Sequence, residues 1–132
     1  MQMRRMFEPF SAGLAALNHT PEQLAHLTSC YERMARSSSL DDWIAADLTF
    51  HEAILAASGN ELLVPLGNMI REGLRILFTV SANNASDSFY SLPLHKDVLD
   101  AITARDPVAA NAKMVIILDR SDETMNVNTR QG

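Results

Sequence analysis

The chain has 132 residues, enough for one domain with a sizeable core and too few for two. Apolar residues at 47% against 20% charged exclude a disordered or fibrous chain, and a net charge of −5 makes this chain alone a poor binder of phosphate backbones. Its one cysteine, Cys30, excludes an internal disulfide and suits a reducing cytoplasm, while the opening MQMRRMFEPF lacks the apolar stretch of a signal peptide and no later run has membrane-spanning length.

Helical spacing of apolar residues recurs along the whole length and predicts an all-α protein, an antiparallel bundle of about six helices. The first is expected from about Gln2 to Leu17, interrupted by Pro9. Thr20-Pro21-Glu22-Gln23 carries an N-cap threonine, a proline at the first helical position and a glutamine at the capping-box position, so a second helix should run to about Arg36. After the serine linker 37–39, Asp41 or Asp42 is expected to cap a third helix that Gly59 ends, with Trp43, Phe50, Ile54 and Leu55 on its apolar stripe. Asn60 should start a fourth helix through about Val80, less regular near Pro65 and Gly67; residues 74–80 have strand propensity but no partner strand. Residues 81–91, rich in Asn and Ser, are expected to form a surface loop. A fifth helix to about Ala104 and a sixth opened by Asp106-Pro107 follow. Because the run from Met114 to Leu118 is apolar all round, the sixth helix should lie centrally or at a subunit interface. The domain is thus expected over residues 1–122, with a polar, fraying tail over 123–132.

Asp47 and His51 stand four apart, so they project from one helix face one turn apart. This spacing suits a divalent metal, but taken alone it more often marks an ordinary Asp–His hydrogen bond on a helix face. His95, near the start of the fifth helix, is either a third ligand from a second helix or a surface histidine. Three protein ligands would leave positions for water or an organic acid, the arrangement of a binding or catalytic site and not of a closed structural one. His19 and His26 have no partner at ligand spacing and are expected on the surface. Arg4 and Glu8, also four apart, read as a helix-surface ion pair or as an arginine that reaches into a polar cavity to grip a carboxylate. Arg75, on an apolar stretch, is either a snorkelling side chain or a second such grip. No H-E-x-x-H, repeated E-x-x-H, G-x-S-x-G or glycine-rich phosphate loop occurs, which gives an enzyme reading little support.

The stretch DLTFHEAILAASGN, from Asp47 through His51 to Asn60, resembles the D-x-x-[FY]-H…(A/S)-x-x-N signature of the ligand-binding domain of FadR-type regulators in the GntR family. Arg4-x-x-x-Glu8-Pro9 resembles that family's R-x-x-x-E-P opening, and the segment from His95 through Ile102 to Asp106-Pro-Val-Ala-Ala resembles its late histidine segment. The resemblance covers nearly the whole chain and implies the helical effector-binding domain of a transcription regulator, not an enzyme. It also implies a divalent metal of zinc, nickel or manganese type held by Asp47, His51 and His95, with Ile117 at the place of the family's third histidine. Arg4 and Arg75 would contact the effector's carboxylate. An apolar residue at position 117 is similar to the branch that senses galactonate and related sugar acids, so the expected effector is a small organic acid, a sugar acid. The resemblance further implies a cytoplasmic homodimer that meets DNA only through a winged helix-turn-helix domain, which normally precedes this domain and is expected to be missing here. Two other readings remain open: a small metal-dependent hydrolase or isomerase with Glu52 or Asp97 as base, and a dimerisation module with a vestigial pocket.

Overall fold

The computed structural model describes the backbone over residues 2–81 and 85–131, and side chains over 4–69, 71–73, 75 and 91–121. Among the described residues there are six α-helices and no strand: α1 (Gln2–Asn18), α2 (Pro21–Ala35), α3 (Leu40–Ala57), α4 (Val64–Ser81), α5 (Ala85–Thr103) and α6 (Pro107–Gln131). Capping chemistry sets most of the boundaries. Ahead of α2 the Thr20 hydroxyl accepts from the Gln23 backbone at 3.1 Å and the Gln23 side chain accepts from the Thr20 backbone at 2.9 Å, closing the expected capping box. Gly59 ends α3 with φ +79°, a conformation that favours glycine. Asp106 accepts from the Ala109 backbone at 3.0 Å and opens α6.

Five expectations need correction. Pro9 lies inside α1 without ending it, although proline brings no backbone N–H to the helix. The cap of α3 is Ser39, whose hydroxyl accepts from the Asp42 backbone at 3.1 Å; Asp41 and Asp42 fall in the first turn, where the helix dipole favours acids. Asn60 caps a 3-10 turn over Glu61–Leu63 before α4 begins. The segment 81–91 is not one loop: α5 starts at Ala85, because Ser and Asp favour helix starts as much as loops, and residues 82–84 lie outside the described residues. Residues 74–80 belong to α4, and α6 stays helical through Gln131, past the point where a tail was expected to fray.

α1 packs chiefly on α6, α2 on α3 and α5 on α6, while α3 also meets α1 and α4. Small residues let α1 come close: Ala12, Ala15 and Ala16 are buried, and a Cβ on Gly13 would lie 3.2 Å from the Pro107 carbonyl oxygen. Larger side chains fill the centre, with Leu27 and Met34 from α2, Phe50 and Ile54 from α3, Ile102 from α5 and Met114 from α6 all fully buried. Each such burial contributes on the order of 2 kcal/mol. The apolar run of α6 is buried on one side only, since Met114, Ile117 and Leu118 face the core and Ile116 is exposed.

Arg105 follows α5 in the left-handed region at φ +56°, with its own N–H donating to Ile102 and that of Asp106 donating to Ala101. Its guanidinium donates to the Leu17 and His19 carbonyls at 3.1 and 3.2 Å, so one residue closes α5 and ties it to the end of α1. Among the described residues no helix is long and apolar enough to cross a membrane.

Candidate functional site

Three helices bring five polar side chains into the interior: Arg4 and Glu8 from α1, Asp47 and His51 from α3, and His95 from α5. All five are at most 6% exposed, and Phe50 and Trp43 make T-shaped contacts with the imidazoles. Burial on this scale is costly for charged groups unless each finds a partner. Here the partners form a chain. Arg4 Nε donates to Glu8 Oε2 at 2.6 Å, Glu8 Oε1 lies 2.6 Å from His51 Nδ1, and His95 Nε2 lies 2.8 Å from Asp47 Oδ1. His95 Nδ1 meets the Ser91 carbonyl at 2.7 Å, one turn back on its own helix.

His51 Nε2 is the exception. It sits 3.1 Å from Asp47 Oδ1, yet the angle is not that of a hydrogen bond, and this buried nitrogen has no hydrogen-bond partner. Carboxylates and carbonyls only accept, so Glu8 and Ser91 each call for a proton on the Nδ1 they face. With Nδ1 protonated on a neutral imidazole, Nε2 is the atom left to donate an electron pair; in the metal-free chain the 2.8 Å contact of His95 Nε2 with Asp47 needs a proton on that nitrogen, which a bound cation would replace. Ligand atoms of Asp47, His51 and His95 lie within 4.8 Å of one another. Two imidazole nitrogens and a carboxylate converging in a dry site fit a divalent cation that displaces the Nε2 protons.

The electrostatics follow from the same contacts. Burial opposes the charge on Glu8, but His51 and Arg4 outweigh it and lower its pKa from 4.5 to about 2. Burial likewise opposes the Asp47 carboxylate, which His51 and His95 nonetheless hold well below the ordinary range. For His51 burial disfavours the cation, whereas Glu8 and Asp47 favour it more strongly and raise the metal-free imidazole to about 9.

Asp47, His51 and His95 are thus brought together, and Arg4 is buried beside them. Arg75 is exposed on α4, one turn beyond Arg71. Arg71 Nη1 bonds both oxygens of Glu52, at 2.7 and 2.9 Å, and with Glu8, Leu48, His51 and Gly67 this pair lines a small cleft partly open to solvent. Ile117 is buried in the core and offers no ligand atom. His26 is exposed and lies 3.7 Å from the buried Cys30 thiol. His19, by contrast, is buried, with Nδ1 at 2.7 Å from the Ala15 carbonyl; the surface expectation overlooked that it continues the buried face of α1 four residues past Ala15.

Glu8 is the site residue that the sequence reading did not single out by itself. The usable signal was phase: positions 4, 8, 12 and 16 make one ladder of four-residue steps, and the alanines at its far end mark that face as buried.

The FCD domain family matches residues 1–120 of this chain. Over 111 residues the chain is 33% identical to the uncharacterized HTH-type transcriptional regulator YieP of Escherichia coli (strain K12), a match covering 82% of this chain and 47% of that protein. The fold is similar to that of a Streptococcus agalactiae GntR protein, with a TM-score of 0.80 at 24% identity over 93% of this chain and 56% of that one. The chain therefore spans about half the length of each relative. Motifs, fold and family match agree, and the chain belongs to the FCD domain family.

Proposed function

We propose that the chain is the effector-sensing domain of a bacterial transcription regulator, acting in the cytoplasm, and that it binds a divalent metal together with a small organic acid. The observation that carries the reading is the unpartnered, buried Nε2 of His51, facing the Asp47 carboxylate beside the Nε2 of His95. Without a cation, that cluster leaves a buried polar atom unsatisfied, which is costly. Asp47, His51 and His95 would hold the ion. A bound ion would supply a positive centre that the carboxylate of an organic acid can join.

Arg4 and Arg75 are the proposed cationic contacts for that acid. Arg4 is the buried cation of the cluster, joined to His51 through Glu8, and Arg75 stands on α4, which packs on α3. A sugar acid is the effector proposed, on the strength of the sequence resemblance around Ile117. The E. coli relative is named an HTH-type transcriptional regulator, which supports a sensor and not an enzyme. In the whole protein a separate winged helix-turn-helix domain would read DNA as part of a homodimer. Effector binding would bias that dimer only by as much as its affinity differs between the dimer's states.

Metal analysis of the purified chain, followed by calorimetry against a panel of sugar acids with and without the metal, tests the reading. Bound metal and a metal-dependent heat of acid binding are expected. Turnover of an acid would favour a metal-dependent enzyme, and a chain that binds neither metal nor acid would be a dimerisation module.

A further inference from the structure

We propose that Glu8 is a positioning residue of the metal centre: by accepting the Nδ1 proton of His51 it fixes the tautomer whose Nε2 lone pair faces Asp47 and His95, and Arg4 fixes Glu8 in that role. The inference rests on reading the site as a metal centre, and it concerns a residue that itself provides no metal ligand.

A neutral imidazole carries one proton, and its two nitrogens compete for it. On His95 both neighbours are acceptors, the Ser91 carbonyl at 2.7 Å from Nδ1 and Asp47 at 2.8 Å from Nε2, so a cation that takes Nε2 leaves the proton on Nδ1, where the backbone holds it. On His51 a side chain holds it, the Glu8 carboxylate at 2.6 Å. A substitution can therefore change the tautomer of His51 but not that of His95. The second Glu8 oxygen is taken by Arg4 Nε at 2.6 Å, so this carboxylate serves two donors with two acceptor atoms. A glutamine in its place has the same shape but only one acceptor.

The consequence is specific. In Glu8→Gln the amide oxygen is drawn to Arg4, a permanent cation, and the amide NH2 then faces His51 Nδ1. Nδ1 must become the acceptor, and the proton moves to Nε2, where it blocks the metal. Removing the demand of Arg4 in Arg4→Met/Glu8→Gln frees the amide oxygen to turn back to His51 and restores the metal-binding tautomer. A merely structural role for Glu8 makes the opposite forecast, since the double variant would lose a second buried contact and gain nothing.

The test uses metal-stripped wild type, Glu8→Gln and Arg4→Met/Glu8→Gln, each titrated with zinc chloride by calorimetry after circular dichroism has established folding. Outer-shell partners of ligating histidines change metal affinity by about 10–100-fold, and a loss in that range is expected for Glu8→Gln. The double variant should regain most of that loss. In zinc-loaded wild type, long-range proton–nitrogen NMR should place the His51 proton on Nδ1 and zinc on Nε2. If wild type binds no zinc, the metal reading fails and this inference fails with it. If wild type binds zinc and Glu8→Gln binds it equally well, or if the double variant does no better than Glu8→Gln, the inference alone is overturned. Should Glu8→Gln not fold, the double variant and the wild-type NMR decide: zinc affinity near wild type with Nδ1 protonated supports the proposal, and its loss or the reversed tautomer overturns it.

Discussion

The two halves of α1 bury the same face by opposite means. In the C-terminal half Ala12, Ala15 and Ala16 are small enough to let the backbone sink into the core. In the N-terminal half the same ladder carries Arg4 and Glu8, equally buried but held by each other and by His51. The contrast shows that this bundle accommodates buried charge where opposite charges meet. Such a place is where a functional site is to be sought, because structure alone was met more cheaply one turn away by alanine.

The largest expected effect comes from breaking the charged half. Glu8→Ala leaves Arg4 and His51 buried without their shared acceptor and should cost about 3–5 kcal/mol in denaturant unfolding. A loss below about 1 kcal/mol would erase the distinction between the halves. Acid should act on the same residue in the metal-free chain. The Glu8 pKa is depressed from 4.5 to about 2 in the folded state, so its contribution is present above pH 4.5 and is lost as pH falls toward about 2. That contribution is on the order of 3 kcal/mol, and Glu8→Gln should lack this part of the acid dependence when unfolding is followed across pH.

The alanine half should respond differently. Ala12→Leu forces extra volume into a closely packed face and is expected to destabilise by about 1–3 kcal/mol, with zinc affinity of the folded chain unchanged. An Ala12→Leu protein whose zinc affinity fell with its stability would mean that the two halves act as one unit. Thr20→Ala serves as a smaller reference outside the ladder. It removes the hydroxyl that caps α2 and should cost about 1 kcal/mol in thermal or denaturant unfolding, again without effect on zinc.

Local chemistry made much of the fold legible. The Thr20 capping box, Gly59 at the end of α3 and the Asp106-Pro107 start of α6 act within a few residues, so the sequence exposes them directly. The start of α5 was misread because Ser86, Asp87 and Ser88 suit a helix start and a loop alike. At the site, the Asp47–His51 pair was legible from spacing on one helix, whereas the arrival of His95 depends on how α5 packs and needed the resemblance. Glu8 was hidden for a different reason. An Arg–Glu pair four apart reads as solvent-facing, and only its phase with Ala12 and Ala16 reveals burial. His19, expected on the surface for want of a partner at ligand spacing, is buried because it continues that side of α1 past Ala15.

The most direct test of the metal centre is a calorimetric titration of the metal-stripped chain with zinc, run in parallel on His51→Ala. One ion per chain is expected, with affinity reduced on the order of 100-fold when the unpartnered Nε2 is removed. A wild-type chain that takes up no zinc, or a His51→Ala chain that binds it as tightly as wild type, would contradict that expectation.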